Sequence, residues 1–147
     1  MIGCIVTGHG DLAPGLAQAV GMIAGPQEHF RVVPFRDLDP LETYESELRA
    51  ALDALLAETD GVVIFTDLLG GTPFRAAMLA AADHANVAVV TGTNLPMLVE
   101  VSLLRAGESD VQALARQAVD LGQTGVQTAR LPQADRPGDP AEDTGGI

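Results

Sequence analysis

Lysine is absent from this chain of 147 residues, and every basic residue is an arginine. That excludes the lysine of a phosphate-binding P-loop and any Schiff-base chemistry on a lysine amine. Cationic residues are few, 8 against 20 acidic residues. The formal charge of −12 disfavours nucleic acid and anionic membrane surfaces, both of which reward clustered positive charge. Cysteine occurs once, as Cys4 in an apolar run, so an internal disulfide and a cysteine-based zinc cluster are ruled out. A small buried hydrophobe is the reading for that thiol. No apolar run approaches membrane-spanning length, and the first residues carry a strand pattern without a basic leader, so a cytoplasmic protein is expected.

Aromatics make up 3% of the chain while hydrophobic residues reach 47%, so the core must be built from Ala, Leu, Val and Ile. That mix suits helices packed on a sheet, in a chain long enough for one ordinary domain. The periodicity alternates accordingly. Ile2 to Thr7, Phe30 to Phe35, Gly61 to Thr66 and Val87 to Thr91 are apolar runs of strand length. Between the first two, Leu16, Ala17, Val20, Ile23 and Ala24 recur at helical spacing up to the Gly25-Pro26 stop. Asp39-Pro40-Leu41-Glu42 reads as a capping box with Asp39 as N-cap, opening a helix whose inner face is Leu48, Ala51, Leu52 and Leu55.

Thr72 to Asp83 reads as a helix, and after Pro96 come a short helical stretch and a longer one from about Ser109 to Gly125. Val126 to Ala129 is a candidate last strand. The segment from Pro132 to Ile147, rich in Pro, Gly and Asp, reads as a disordered acidic tail. The expected architecture is a three-layer, doubly wound α/β fold. Its parallel sheet, order 2-1-3-4, is covered by helices on both faces and joined by right-handed crossovers. In such a sheet the functional crevice lies at the carboxyl ends of the strands where the order reverses, beyond the first and third strands.

The chemistry-bearing residues fall at those two positions. Gly8-His9-Gly10-Asp11 follows the first strand, and Asp67-Leu68-Leu69-Gly70-Gly71-Thr72-Pro73 follows the third. A histidine between glycines protrudes with little steric cover, and Asp67 on the neighbouring strand end can accept a hydrogen bond from its Nδ1. That would fix the tautomer and leave the Nε2 lone pair as a nucleophile toward phosphorus. Gly70 and Gly71 allow close approach of backbone amides to an anion, with Thr72 as N-cap and Pro73 at the first helical position. Arg75 in that first turn reads equally as a phosphoryl or partner contact and as plain surface. His29 and His84 have no such company and are expected to face solvent, and no histidine pair has metal-ligand spacing. Neither a metal nor a diffusible cofactor is expected. Gly8-His9-Gly10-Asp11-Leu12-Ala13 also matches the dinucleotide fingerprint G-x-G-x-x-A, but Pro14 alters the helix start, and that motif gives no reason for Asp67 or the Gly-Gly-Thr-Pro turn.

Three segments carry a family resemblance: Gly8-His9-Gly10, Val63-Ile64-Phe65-Thr66-Asp67 running into Gly70-Gly71-Thr72-Pro73-Phe74, and Thr91-Gly92-Thr93-Asn94-Leu95-Pro96-Met97-Leu98. In order and separation they resemble the enzyme IIA component of the mannose family of the bacterial phosphoenolpyruvate:sugar phosphotransferase system, over about residues 1–130. The resemblance implies a phosphocarrier that receives a phosphoryl group on His9 from the phosphocarrier protein HPr and passes it to a IIB protein. Asp67 would be the hydrogen-bonding partner of His9 and Thr72 part of the phosphoryl cradle. Asn94, Pro96 and Met97 would shape a docking rim, and Val126–Ala129 would be exchanged between subunits of a homodimer. Arg75 departs from the small polar residue expected there, and without a fused IIB domain the chain is expected either to deliver to a separate protein or to act only as a sensor. Two alternatives share these motifs or this fold. One is a regulatory module switched by His9 phosphorylation without sugar transport. The other is the phosphotransfer subunit of a dihydroxyacetone kinase, against which the Gly-Gly-Thr-Pro and Asn-Leu-Pro-Met segments argue.

Overall fold

A computed structural model describes residues 1–132 of the chain. Strands β1 (Gly3–His9), β2 (Phe30–Phe35), β3 (Val62–Phe65) and β4 (Val87–Val90) form one sheet in the order β2-β1-β3-β4, and every pairing is parallel. Helices α1 (Leu12–Ala24), α2 (Leu41–Leu56), α3 (Thr72–Ala81), α4 (Leu95–Leu104) and α5 (Val111–Thr124) complete the described chain. The three-layer α/β architecture and the strand order expected from the sequence are those observed.

Pleating sends successive strand side chains to opposite faces and so splits the core in two. Cys4, Val6, Val63, Phe65, Ala88 and Val90 lie with residues of α1, α4 and α5, while Ile5, Val33, Val62, Ile64 and Val87 lie with residues of α2 and α3. Both faces of the central strands are buried, which explains their continuous rather than alternating apolar runs. On α2 the spacing Tyr44, Leu48, Leu52, Leu55 places four buried side chains on one stripe. Each such leucine contributes about 1.5–3 kcal/mol of transfer free energy. Pro34 is tolerated in β2 because that strand is an edge.

Local details differ from the sequence expectations. α2 begins at Leu41 with Pro40 in the N-cap position, so Asp39 lies one residue too early to cap it. Ile23 of α1 is exposed, because the helix needs only Ala13 and Val20 fully buried, with Leu16 and Ala24 packed beside them. His29 and His84 are half-buried rather than solvent-facing, and His29 Nδ1 sits 3.1 Å from Glu58 Oε2. Residues 126–129 carry no strand: β4 is a sheet edge within this single chain, and nothing in the described residues pairs with the segment. The expected disordered tail falls, from residue 133 on, outside the described residues.

At the amino end of the sheet the structure buries an arginine the sequence did not flag. Arg105, just beyond α4, is 2% exposed and donates to the carbonyl of Ile2 at 3.1 Å and to Gln27 Oε1 at 3.1 Å. It ties the start of β1 to the α1–β2 connection. Cys4 is buried as expected, and its burial pushes the thiol pKa up to about 12 despite the nearby Arg105 charge, so the thiol stays protonated.

Candidate functional site

At the opposite end of the sheet, β1 runs out at His9 and β3 stops just short of Asp67. The imidazole Nδ1 of His9 lies 2.7 Å from Asp67 Oδ2, and the same oxygen accepts the His9 main-chain N–H at 2.9 Å. The other carboxylate oxygen accepts the Leu68 N–H at 2.9 Å. Burial pushes the Asp67 carboxyl up, but these hydrogen bonds and the imidazole outweigh it and hold the group below its ordinary 3.8. An ionised carboxylate only accepts, so Nδ1 carries a proton, and in the neutral ring that leaves the lone pair on Nε2. The Asp67 side chain is 7% exposed and that of His9 48%: the orienting group is sheltered while the nucleophile is reachable.

Two glycines make this approach possible. A β-carbon on Gly8 would meet the Asp67 carboxylate at 3.2 Å, and one on Gly71 would meet His9 Cε1 at 3.0 Å. Gly10, at φ 59°, turns the chain immediately after His9. Behind the imidazole the Phe35 ring stands edge-on, with centroids 5.7 Å apart and planes at 81°, and Phe35 in turn packs on Tyr44. Thr7 Oγ1 donates to the Val33 carbonyl at 2.6 Å, so the Tyr44 hydroxyl, also 2.6 Å away, is the donor of the Tyr44–Thr7 bond. Burial pushes the Tyr44 phenol up to about 12, which keeps that donor proton in place.

Opposite this stack, α3 begins with its amino end toward His9. Gly71 occupies the N-cap position, so Thr72 is the first helical residue rather than the cap, and Pro73 follows at the second. The Thr72 and Phe74 amides belong to the first turn, which has no carbonyls of its own to bond, so they remain as donors for an anion.

Comparison with known proteins decides the family. The family model described as the fructose IIA component of the phosphotransferase system (EIIA-man) matches residues 3–119. The chain belongs to this EIIA family. It is 35% identical to the fructose-specific EIIA component of Bacillus subtilis (strain 168) over 105 residues, 71% of each protein. It is 33% identical to the mannose-specific EIIAB component of Escherichia coli (strain K12) over 129 residues, 88% of this chain but 40% of that longer protein. The structure superposes on the mannose/sorbose-specific IIA subunit of Enterococcus faecalis with a TM-score of 0.81 at 29% identity, covering 90% of this chain and 98% of that one. Membership in the EIIA family brings with it a role in phosphotransfer within that system.

Of the site residues picked from the sequence, His9, Asp67 and Gly71 come together directly, with Gly70 and Thr72 flanking Gly71 in the chain. Arg75 is exposed in the first turn of α3 and has no ion-pair partner among the described residues. The Asn94–Met97 turn serves the EIIA fold more than its surface. Asn94 Oδ1 caps α4 by accepting the Met97 N–H at 3.1 Å, and its Nδ2 donates to the Gly122 carbonyl at 2.9 Å. Met97 is 3% exposed, packed under α5 against Gly122, so its side chain cannot itself meet a partner; only Pro96 of this turn is exposed.

Sequence reasoning missed Phe35, Tyr44 and the ion pair of Arg36 with Asp11, 2.6 Å from Nη1 to Oδ1. A signal was present: in a sheet of order 2-1-3-4, the residues ending the second strand come to rest beside those ending the first. The register pairs Phe35 with His9. No helix among the described residues is long and apolar enough to cross a membrane, and no group of acidic, His or Cys side chains among them could hold a metal ion.

Proposed function

We propose that this EIIA chain is a phosphohistidine carrier in sugar uptake, with residues 1–130 as the working domain. The Nε2 lone pair of His9 attacks the phosphorus of phosphorylated HPr; the new N–P bond forms as the donor's N–P bond breaks. A IIB protein then takes the phosphoryl group by the same in-line displacement in reverse. Little covalent work falls to the protein, so positioning and charge stabilisation carry the rate. The observation that carries this reading is the 2.7 Å bond from Nδ1 to a sheltered, ionised Asp67 beneath a half-exposed imidazole. As positive charge develops on the ring, the Asp67 carboxylate stabilises it while the Nδ1 proton stays where it is.

Gly70, Gly71 and Thr72 supply main-chain donors for the phosphoryl oxygens, with the α3 dipole in support. Exposed Leu68, Leu69 and Leu38 border the site and offer apolar contact to a partner protein, with Arg75 and Pro96 farther out on the rim. The acidic charge favours partners with basic faces. The carrier works in the cytoplasm as a homodimer, with no metal or diffusible cofactor, because its donor is already a phosphohistidine.

Incubation with phosphoenolpyruvate, enzyme I and HPr, followed by intact mass, tests the assignment. One acid-labile, base-stable phosphate is expected, absent from His9→Ala. A phosphate that survives in that variant removes His9 from the role.

A further inference from the structure

One cation in the neighbourhood of His9 has no place in the chemistry so far. An open cleft of about 610 Å³ is lined by His9, Gly10, Phe35, Arg36, Asp37, Leu38 and Asp39. Arg36 is the sole cation among those lining residues. Its guanidinium pairs with Asp11 at 2.6 Å, with the Arg36 side chain 49% and the Asp11 side chain 80% exposed. Asp11 stands at the N-cap position of α1, yet its carboxylate makes no cap among the described residues and is given over to Arg36.

A phosphoryl group arriving on His9 would add close to two negative charges to a cleft that already holds Asp37 and Asp39, with Asp11 at its lip and Asp67 beneath. Uncompensated, that crowding opposes loading. The β1–β2 register sets Phe35 opposite His9, so Arg36 is the next residue along and shares its cleft. Arg75, the alternative cation, does not line it. An exposed Arg–Asp pair holds its partners weakly, whereas a phosphoryl oxygen is a stronger, more highly charged acceptor for a guanidinium fork.

Resting on the reading of His9 as carrier, we propose that Arg36 is a positioning residue for the phosphoryl group. While His9 is unmodified its guanidinium is parked on Asp11; once His9 is loaded, it swings to a phosphoryl oxygen and leaves Asp11 free. The exchange keeps the cation beside the site in both states, so the loaded form is stabilised without a lysine or a metal.

The test loads the full chain from phosphoenolpyruvate, enzyme I and HPr, then titrates the phosphoryl group by phosphorus-31 NMR in wild type, Arg36→Gln, Arg36→Lys and Asp11→Asn. A guanidinium on the phosphoryl favours its dianion. Arg36→Gln should therefore raise the phosphoryl pKa by about half to one unit, with Arg36→Lys recovering part of the shift. Asp11→Asn, which removes the competitor, should leave it at or below the wild-type value. Identical titrations in wild type and Arg36→Gln would overturn the inference, as would an upward shift in Asp11→Asn. Failure of the wild type to acquire phosphate on His9 would instead overturn the carrier reading on which it rests.

Discussion

A single oxygen, Oδ2 of Asp67, receives both the main-chain N–H of His9 and its imidazole Nδ1. The backbone bond fixes where residue 9 leaves the sheet, and the ring bond fixes how the side chain leaves the backbone. One carboxylate thus locates the nucleophile and sets its tautomer. Replacing Asp67 with Ala should slow phosphoryl uptake by HPr-driven loading on the order of 10²–10⁴-fold, with an unchanged circular dichroism spectrum. Wild-type rates in a time course by intact mass would show that the imidazole needs no such support.

The same residue makes stability depend on acid. The folded Asp67 carboxyl lies below its ordinary 3.8, so its contribution is fully present above that value and fades as pH falls through the lower, folded one. Urea midpoints for wild type and Asp67→Asn should therefore be furthest apart near neutrality and converge below about pH 4. A gap that stays constant into acid would contradict the assignment.

Gly71→Ala separates site geometry from folding. Residue 71 has φ −73° and ψ 171°, open to any side chain, so backbone strain is not at issue. The new methyl would meet His9 Cε1 at 3.0 Å and push the ring from its place. Loading should fall about tenfold or more, while stability changes by less than about 1 kcal/mol. A melting temperature many degrees lower would mean that the turn, rather than the ring, depends on this glycine.

Tyr44→Phe keeps the ring against Phe35 but removes the hydroxyl donated to Thr7. Thr7 retains its own bond to the Val33 carbonyl and loses its donor in a dry site. A loss of about 1–2 kcal/mol in urea unfolding is expected, with loading of His9 close to wild type.

Residues 126–129 carry no strand, and among the described residues no strand pairs with the outer edge of β4. If the segment completes the sheet of a second copy, deletion from Val126 onward should shift the protein toward monomer in sedimentation velocity. An unchanged dimer would refute strand exchange.

What could be read in the sequence was what a single local pattern specifies. The strands were legible because both of their faces are buried, so Ile5, Val6, Ile64 and Phe65 had to be apolar without a break. His9 and Asp67 were legible because the strand order, once inferred, brings their loops side by side. The expected helix caps miss by one residue, early at Asp39 and late at Thr72, since Pro40 and Gly71 can occupy cap positions as well as Asp and Thr. The buried settings of Arg105, Tyr44 and Met97 escaped for another reason. Each is fixed by partners 20 or more residues away, at Ile2, Thr7 and Gly122, and no periodicity encodes such contacts.

The sealed thiol at position 4 has a practical use. With no other cysteine in the chain and that one locked in the sheet, a cysteine introduced on the surface would be the sole fast-reacting handle, without prior engineering to remove a native one. A fluorophore coupled at residue 38, beside the His9 cleft, could then follow the arrival and departure of phosphoryl donors and acceptors in real time.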